Sequence, residues 1–256
     1  KKVLSFTLGQ SPDLKQIEDA LKKDCTIKAV AMVHHETSTG VLNPLAQISR
    51  LCRLYQKRLI VDGISSLGGE CFDFSNVDVC VGSANKCIQG LPGAAFVLVR
   101  KKLIPLMRRY KRQSLYFDLM HLLETQEQGG TPFTPAIPTI YAFDAALKEF
   151  IYEGVVRRTG RYQQYSRIIR KGLEKSGLKY FVPNPSDRAH TLTAYFLPLG
   201  WTYPQLHDAL KKEGYIIYAG QGDLSKKIFR IANMGWLKKK DLERLVMIFK
   251  KLGIRG

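Results

Sequence analysis

The first half of the chain alternates helix-like and strand-like patterns of apolar residues. Helical spacing predicts amphipathic helices over residues 12–24 and 43–58, each opening beside a proline. Continuous apolar runs rich in valine, isoleucine and alanine predict buried strands. These runs are residues 27–35, 59–63, 76–83 and 94–100. Together they predict a mostly parallel sheet that is covered on both faces.

The pattern changes in the second half of the chain. Residues 139–176 show the spacing of long helices, with a break predicted near Gly154. The elements expected after them are a strand (191–197), a helix (203–213), two short strands (215–220 and 228–235) and a closing helix (238–252). We therefore expect a large α/β domain over residues 1–150 and a smaller α+β domain over residues 151–256.

The chain carries a strong positive charge. Among its 256 residues, 40 lysines and arginines outnumber 22 aspartates and glutamates, for a net charge of +18. In residues 168–177 and 236–253 the charges alternate with apolar residues at helical spacing, which is typical of a solvated helix face. No recognised nucleic-acid motif accompanies the basic runs, so an anionic small-molecule substrate is favoured over nucleic acid.

Composition also bears on location. No apolar stretch reaches the roughly 20 residues that a membrane span needs, and the first residues lack the apolar core of a signal peptide. We therefore expect a cytoplasmic protein without a membrane segment. The five cysteines are odd in number and contain no C-x-x-C pair, so we interpret them as mostly buried thiols rather than disulfides or a zinc site.

Polar side chains follow three of the predicted strands. His34, Glu36 and Thr37 come after the first strand, Asp62 ends the second, and Lys86 follows the third. Ligands of open parallel sheets bind beyond the carboxyl ends of the strands. These side chains are therefore candidates for one site.

Three interpretations of Asp62 and Lys86 are open from the residues alone. They could form a structural ion pair, because an isolated buried carboxylate is costly. A desolvated lysine could instead act as an amine nucleophile. Both side chains could also bind one ligand, each from a different side. Pyridoxal 5′-phosphate needs that arrangement, with an amine for its aldehyde and a carboxylate that keeps its ring nitrogen protonated.

Four motifs, in order along the chain, resemble those of class V, fold-type I aminotransferases. They are "HHETSTGVLNP" (34–44), "VDGISSLGGECFDF" (61–74), "SANKCIQGLPGAAFVLVR" (83–100) and "FRIANMG" (229–235). The resemblance covers essentially the whole chain. It implies the α/β fold of pyridoxal-phosphate transferases, with a large domain that is incomplete at its N-terminus and a smaller C-terminal α+β domain.

The resemblance also implies roles around the cofactor ring. Lys86 would form the Schiff base and move a proton, and Asp62 would hold the pyridinium. Ile64 would press on one face of the ring, and Thr37 would hydrogen-bond near its 3-hydroxyl. On the residues alone, the threonine could equally cap a turn and the isoleucine could be plain core.

Three further residues are implied to bind the cofactor phosphate or the substrate. Asn85 would lie beside the phosphate, and Thr134 would reach the phosphate in a partner subunit, which implies a homodimer. Arg230 would bind the acid group of the substrate. The planar guanidinium presents pairs of N–H donors that match the oxygens of a carboxylate. Each also has a structural interpretation, as a turn residue for Asn85 and Thr134 and as an exposed edge charge for Arg230.

Within this family, the motifs are most similar to those of members that act in phosphonate metabolism. The implied reaction transfers the amino group of 2-aminoethylphosphonate to pyruvate and gives phosphonoacetaldehyde and L-alanine. Transamination of the alanine–glyoxylate or serine–pyruvate type is the alternative. A basic, non-catalytic binding module is a third hypothesis. Cysteine desulfuration is disfavoured, because it needs a loop cysteine well after the lysine and the last cysteine is Cys87.

The N-terminus departs from the family pattern. In relatives, a further segment precedes the region matched by Lys1 and supplies a turn that cradles the cofactor phosphate. It also supplies an aromatic ring that stacks on the pyridine. Neither feature is recognisable in this sequence, and we expect the chain to open on a strand at an unprotected sheet edge.

Overall fold

The computed structural model describes residues 2–256 and shows the predicted alternation of helices and strands. The strands are β1 (Ala29–Val33), β2 (His35–Glu36), β3 (Val41–Leu42), β4 (Arg58–Asp62), β5 (Val79–Ser83), β6 (Ala95–Val99), β7 (Leu192–Phe196), β8 (Tyr218–Ala219) and β9 (Ile228–Ala232). The helices are α1 (Leu14–Lys23), α2 (Leu45–Leu54), α3 (Ile104–Met107), α4 (Leu119–Glu127), α5 (Ile137–Glu153), α6 (Val155–Glu174), α7 (Tyr203–Lys212) and α8 (Lys239–Lys251). The predicted break near Gly154 is confirmed, since this residue separates α5 from α6.

The main sheet has the strand order β1-β4-β5-β6. β1, β4 and β5 run parallel, while β6 is antiparallel to β5, so the prediction of a mostly parallel sheet is confirmed. The register pairs Val33 with Asp62 and Asp62 with Val81. The three parallel strands therefore end at nearly the same level, and the segments that follow them meet at one edge.

Helices α1 and α2 cover one face of this sheet. Ile48 and Cys52 of α2 pack with Leu59 and Val61 of β4 in a cluster whose members are almost completely buried. Such tight packing makes each side chain costly to remove. Truncating a buried leucine to alanine typically lowers the free energy of unfolding by about 2–5 kcal/mol.

The face of the main sheet opposite α1 and α2 is less covered than the sequence predicts. The sequence predicts a sheet covered on both faces, but Ile60 is 37% exposed and Ala29 and Ala31 are also exposed. Alternate strand residues point to opposite faces, so a continuous apolar run places apolar side chains on this second face even where it is only partly covered. The expected opening strand is also wrong, because residues 2–13 contain no strand and β1 itself is an edge of the sheet.

The C-terminal part contains an antiparallel sheet of order β7-β9-β8, against which α6 and α8 pack. Its core includes Tyr162, Tyr195, Phe229 and Phe249, all of which are fully buried. Cys87, which follows Lys86, belongs to the same cluster. The core of the C-terminal part therefore reaches the turn that carries the candidate lysine.

Candidate active site

Asp62 stands at the end of β4, where the turn that follows fixes its carboxylate. The backbone N–H of Ile64 donates to Oδ1 of Asp62 at 2.9 Å. The carbonyl oxygen of Asp62 accepts a hydrogen bond of 2.9 Å from the N–H of His34, which ties the ends of β4 and β1 together. No donor among residues 2–256 reaches Oδ2 of Asp62, so this oxygen is available to a ligand.

Lys86 lies in a tight turn immediately after β5. The N–H of Gln89 donates to the carbonyl oxygen of Lys86 at 3.0 Å, and the N–H of Gly90 donates to that of Ala84 at 2.7 Å. Gln89 has a φ of 70°, a conformation that non-glycine residues seldom adopt. The turn thus fixes the backbone at the lysine, whose side chain is half-buried.

The turns after Asp62 and Ser83 approach each other closely. A Cβ placed on Gly69 would lie 2.5 Å from Sγ of Cys87, so only glycine fits there. The Cys87 thiol also lies 3.3 Å from the carbonyl oxygen of Ser65. This contact brings the Asp62 turn against the Lys86 turn.

The structure excludes one of the three interpretations of these two residues. Within the part of the chain that the structure describes, the Lys86 ammonium has no ion-pair or hydrogen-bond partner, and Asp62 forms no ion pair. They are therefore not a structural salt bridge. An unpaired amine and an unpaired carboxylate remain at neighbouring strand ends.

Arg158 supports the lysine turn from behind. It is 2% exposed, and its Nη1 donates to the carbonyl oxygens of Cys87 and Ile88, each at 3.2 Å. Its charge is balanced by Glu153, whose Oε2 lies 2.5 Å from Nε of Arg158. Burial opposes ionisation of Glu153, but hydrogen bonds from Arg161 and Arg158 outweigh it and hold the pKa of the carboxyl below its ordinary value.

Tyr162 adds a second support to the same turn. Its hydroxyl accepts a hydrogen bond of 2.7 Å from Nε2 of Gln89 and one of 3.2 Å from the N–H of Gly235. The residues of α6 therefore join the lysine turn to the segment after β9. The sequence does not reveal this role, because Arg158 and Tyr162 stand in a basic stretch like that of a solvated helix face. The one available signal was Glu153, an acidic residue directly before a glycine break and a run of arginines.

The two histidines of the first motif are buried rather than aimed at solvent. Nδ1 of His35 lies 3.0 Å from the carbonyl oxygen of Ser65 and 3.3 Å from Oγ1 of Thr191. Burial lowers the pKa of His35 and lowers that of His34 to about 4, so both rings are neutral at pH 7. Glu36 accepts the N–H of Ser38 at 2.8 Å within the turn.

Arg230 comes from β9 and meets the first strand end. Its Nη1 donates to the carbonyl oxygen of Thr37 at 2.6 Å, and its Nε donates to that of Ala219 at 2.8 Å. Burial lowers the pKa of the guanidinium, which has no acidic ion-pair partner among the described residues. The structure therefore brings Arg230 and Thr37 together and leaves N–H groups of the fork available to an acid.

The remaining predicted site residues, Ile64, Asn85 and Thr134, differ in their exposure and hydrogen bonding. Ile64 is half-buried beside Asp62, whereas Asn85 is exposed and its Oδ1 accepts from the Ser83 hydroxyl within the turn. Thr134 is exposed in the segment before α5, and no hydrogen bond links it to the other site residues within 2–256. Burial raises the pKa of Cys87 to about 12, so this residue stays a neutral thiol.

Two features are absent from residues 2–256. No helix there has both the length and the apolar character that crossing a membrane requires. No group of three or more histidine, cysteine, aspartate or glutamate side chains there could hold a metal ion.

The unpaired groups fit pyridoxal 5′-phosphate. The cofactor needs an amine that bonds to its aldehyde and a carboxylate that pairs with its ring nitrogen, and Lys86 and Asp62 offer these at adjacent strand ends. An α/β sheet with such a site defines a pyridoxal-phosphate-dependent transferase.

The chain belongs to the class-V aminotransferase family, whose sequence model matches residues 2–230. Pyridoxal 5′-phosphate is the cofactor of this family and of this chain. The resemblance seen in the four motifs is thereby confirmed.

Curated relatives are identical to the chain at more than a third of the aligned positions. It is 36% identical over 252 residues to the 2-aminoethylphosphonate–pyruvate transaminase of Bacillus cytotoxicus, covering 95% of this chain and 68% of the relative. It is 37% identical over 244 residues to the enzyme of the same name from Salmonella paratyphi C, covering 92% of this chain and 65% of the relative. The chain thus spans about two thirds of the length of these relatives.

Solved structures agree on the fold. The ureidoglycine–glyoxylate aminotransferase of Bacillus subtilis superimposes with a TM-score of 0.87 at 28% identity, covering 97% of this chain and 66% of that one. The alanine–glyoxylate aminotransferase of Nostoc sp. gives a TM-score of 0.86 at 27% identity, covering 95% of this chain and 66% of that one. The predicted aminotransferase fold is confirmed.

Proposed function

We propose that the protein transfers the amino group of 2-aminoethylphosphonate to pyruvate, giving phosphonoacetaldehyde and L-alanine. The observation that carries the proposal is that an unpaired amine, Lys86, and a carboxylate without an ion-pair partner, Asp62, follow or end two adjacent parallel strands. The names of the relatives at 36% and 37% identity support the choice of substrates.

Lys86 and Asp62 carry the chemistry in this proposal. When bound, the cofactor supplies a ring that withdraws electrons from the carbon bonded to the amino group. The Lys86 amine would hold the cofactor covalently until the amine of the substrate displaces it. The freed amine would then take the proton from the substrate carbon that bears the nitrogen and return it to the former aldehyde carbon of the cofactor. Asp62 accepts the N–H of the protonated ring nitrogen, and the bond from Ile64 N–H to Oδ1 keeps the carboxylate in place.

Three residues position the cofactor. The Ile64 side chain contacts one face of the ring, the Thr37 hydroxyl binds near the 3-hydroxyl, and Asn85 binds beside the phosphate. The tight turns described above support these roles, because they hold Thr37 directly after β2 and Ile64 directly after β4 and Gly63. The exposure of Asn85 is compatible with a ligand group at that position.

Arg230 binds the acid group of the substrate. Its bonds to the carbonyl oxygens of Thr37 and Ala219 use only part of its five N–H groups and orient the planar fork. A guanidinium binds carboxylate and phosphonate groups alike through paired hydrogen bonds. One arginine could therefore bind both the amino donor and the 2-oxo acid.

A homodimer completes the proposal, with Thr134 reaching the site of the partner subunit. Large apolar side chains are exposed along the segment before α5 and on α5 itself, including Phe117, Phe133, Tyr141, Ile151 and Tyr152. Large exposed apolar side chains in such number mark a site of protein–protein contact. This surface supports a second copy of the chain as the partner.

Transamination of the alanine–glyoxylate or serine–pyruvate type is the second candidate. The fold match to an alanine–glyoxylate aminotransferase favours it, and Arg230 would serve equally there. Division into domains at residues 1–150 and 151–256, and location in the cytoplasm, stay predictions.

Half-reactions separate the two candidates. The cofactor-loaded protein is mixed with 2-aminoethylphosphonate, alanine or serine, each without an oxo acid, and the loss of the visible absorbance of lysine-bound cofactor is followed. The proposal expects the phosphonate to convert the cofactor to its amine form at low concentration. Conversion by alanine and serine with no response to the phosphonate would establish the second candidate instead.

A further inference from the structure

A cavity with a charged lining lies between α6 and the segment that leads to β7. Its volume is about 410 Å³, and the ionisable side chains that line it are Arg167, Arg170, Lys171, Glu174, Arg188 and His190. None of the residues assigned above to the cofactor or the substrate lines it. The cavity therefore needs an explanation of its own.

The charges in this cavity are unbalanced. Four side chains are permanent cations at pH 7, whereas Glu174 is the one carboxylate in the lining. Within residues 2–256, none of these four cations forms a salt bridge with an acidic side chain. Two other acids lie nearby, and both are engaged. Nδ1 of His190 lies 2.6 Å from Oε2 of Glu70, and Asp187 accepts from the side chains of Asn184 and Ser186. The interior of the cavity thus carries excess positive charge.

Arg170 is held rigidly at the inner wall. Its Nε donates to Oγ1 of Thr193 at 2.9 Å, and its Nη2 donates to the carbonyl oxygen of Ala189. Its Nη1 has no acceptor in the part of the chain that the structure describes. The guanidinium of Arg170 is therefore held in a fixed orientation, and the N–H groups of its Nη1 remain available to a ligand.

Arg188, which also lines the cavity, is held by hydrogen bonds to backbone carbonyl oxygens as Arg170 is. Its Nε donates to the carbonyl oxygen of Val182 at 2.7 Å and its Nη2 to that of Pro183 at 2.6 Å. The guanidinium lies 3.7 Å from the centre of the Tyr180 ring, a cation–π contact that holds it flat. Its Nη1 also has no acceptor among the described residues.

The two guanidinium groups repel each other in this setting. Burial lowers the pKa of Arg170, and the charge of Arg188 lowers it further. Burial likewise lowers the pKa of Arg188. An anion between them would relieve both effects, because it replaces the lost water and screens the repulsion.

We propose that this cavity binds a small anion bearing a phosphate or phosphonate group. Two oriented forks can each pair with two oxygens of a tetrahedral oxyanion, and the exposed Arg167 and Lys171 add charge at the mouth. A dianion offsets the excess charge better than a monocarboxylate does. The volume lies at the lower end of the range for ligand sites, which fits a small molecule.

Calorimetric titration of the cofactor-loaded protein at low ionic strength tests the proposal. Inorganic phosphate, methylphosphonate and acetate are the probes, so that the two sources of a tetrahedral dianion are compared with a carboxylate. The variant R167Q/K171Q removes two charges at the mouth and leaves the inner wall intact. R157Q/K175Q is the matched control, because it removes the same charge from exposed positions of the same helical segment that lie outside the cavity lining.

We expect phosphate or methylphosphonate to bind at least about tenfold more weakly to R167Q/K171Q than to the unaltered protein, since two of the four cations that attract the anion are removed. R157Q/K175Q and Arg230→Gln should keep the affinity, and acetate should bind more weakly than both dianions. Equal affinity in R167Q/K171Q, an equal loss in R157Q/K175Q, or loss in Arg230→Gln alone would overturn the proposal. Unchanged cofactor absorbance in each variant shows that the protein is folded.

Discussion

The buried guanidinium of Arg158 donates a hydrogen bond of 3.2 Å to the carbonyl oxygen of Cys87, the residue that follows Lys86. The two residues are 71 positions apart in the sequence. This bond, with its companion to Ile88, ties the turn that carries the lysine to the first turns of α6. The position of the lysine therefore depends on a helix that begins after the glycine break.

Replacement of Arg158 by methionine should destabilise the protein strongly. It leaves the buried carbonyl oxygen of Ile88 without a donor, leaves that of Cys87 with only the 3.4 Å bond from the Tyr162 hydroxyl, and removes one of the two cations that neutralise Glu153. Breaking a buried pair in this way costs about 3–5 kcal/mol. Urea unfolding measures the loss. The neighbouring Arg157 is exposed, so Arg157→Met should change the free energy of unfolding by about 0.5 kcal/mol or less; equal losses in both variants would contradict the account.

Glu153 should make stability depend on pH. Its pKa is lowered in the folded protein, so its contribution is present above the unfolded pKa of about 4.3 and is lost as the pH falls through the folded value. We expect Glu153→Gln to be less stable at pH 7. The gap in melting temperature between this variant and the unaltered protein should shrink as the pH falls below about 4. A gap that is constant from pH 7 to pH 3 would show that the charge of Glu153 has no such role.

Arg230 should govern substrate affinity. Arg230→Lys keeps a charge but loses the fork, so two charge-assisted hydrogen bonds cannot form together. We expect KM for the amino donor to rise about tenfold or more while kcat falls less. Steady-state kinetics of full transamination give both constants. The exposed Lys226 lies in the same segment and provides a control, because Lys226→Gln should leave KM unchanged.

The exposed apolar surface on α5 should hold two subunits together. Tyr152 is 91% exposed, and a charge there would have to be buried in the proposed dimer. Tyr152→Asp should therefore shift the protein from dimer to monomer in sedimentation-velocity experiments. Leu199 is a matched exposed residue in the loop before α7, and Leu199→Asp should leave the mass unchanged. A protein that is monomeric before any substitution would refute the dimer.

Several features were predictable from the sequence because they rest on local rules. The helix after Asn43 and Pro44 forms as α2, and the apolar run before Asp62 forms β4. The placement of Asp62 and Lys86 at the same edge of the sheet follows from the rule that parallel strands end at one edge. Local pattern and topology sufficed for these elements.

Other features depend on contacts between distant segments and could not be predicted. From the sequence, Arg158 is one of several basic residues and would be expected at the surface. In the structure it is buried, and Glu153 and two carbonyl oxygens pair with its guanidinium. The partly open face at Ile60 was also missed, since an apolar residue in a strand does not show what covers it. Ion pairing and coverage are decided by tertiary packing.

The central claim is that Lys86 holds pyridoxal 5′-phosphate, and the most direct test is to find the lysine that carries it. Borohydride reduction of the cofactor-loaded protein fixes the cofactor to its lysine, and mass spectrometry of the proteolytic peptides locates the added mass. The account predicts one modified site, at Lys86, and no modified peptide in Lys86→Ala. Attachment at a different lysine, or a modified peptide that persists in Lys86→Ala, would contradict it.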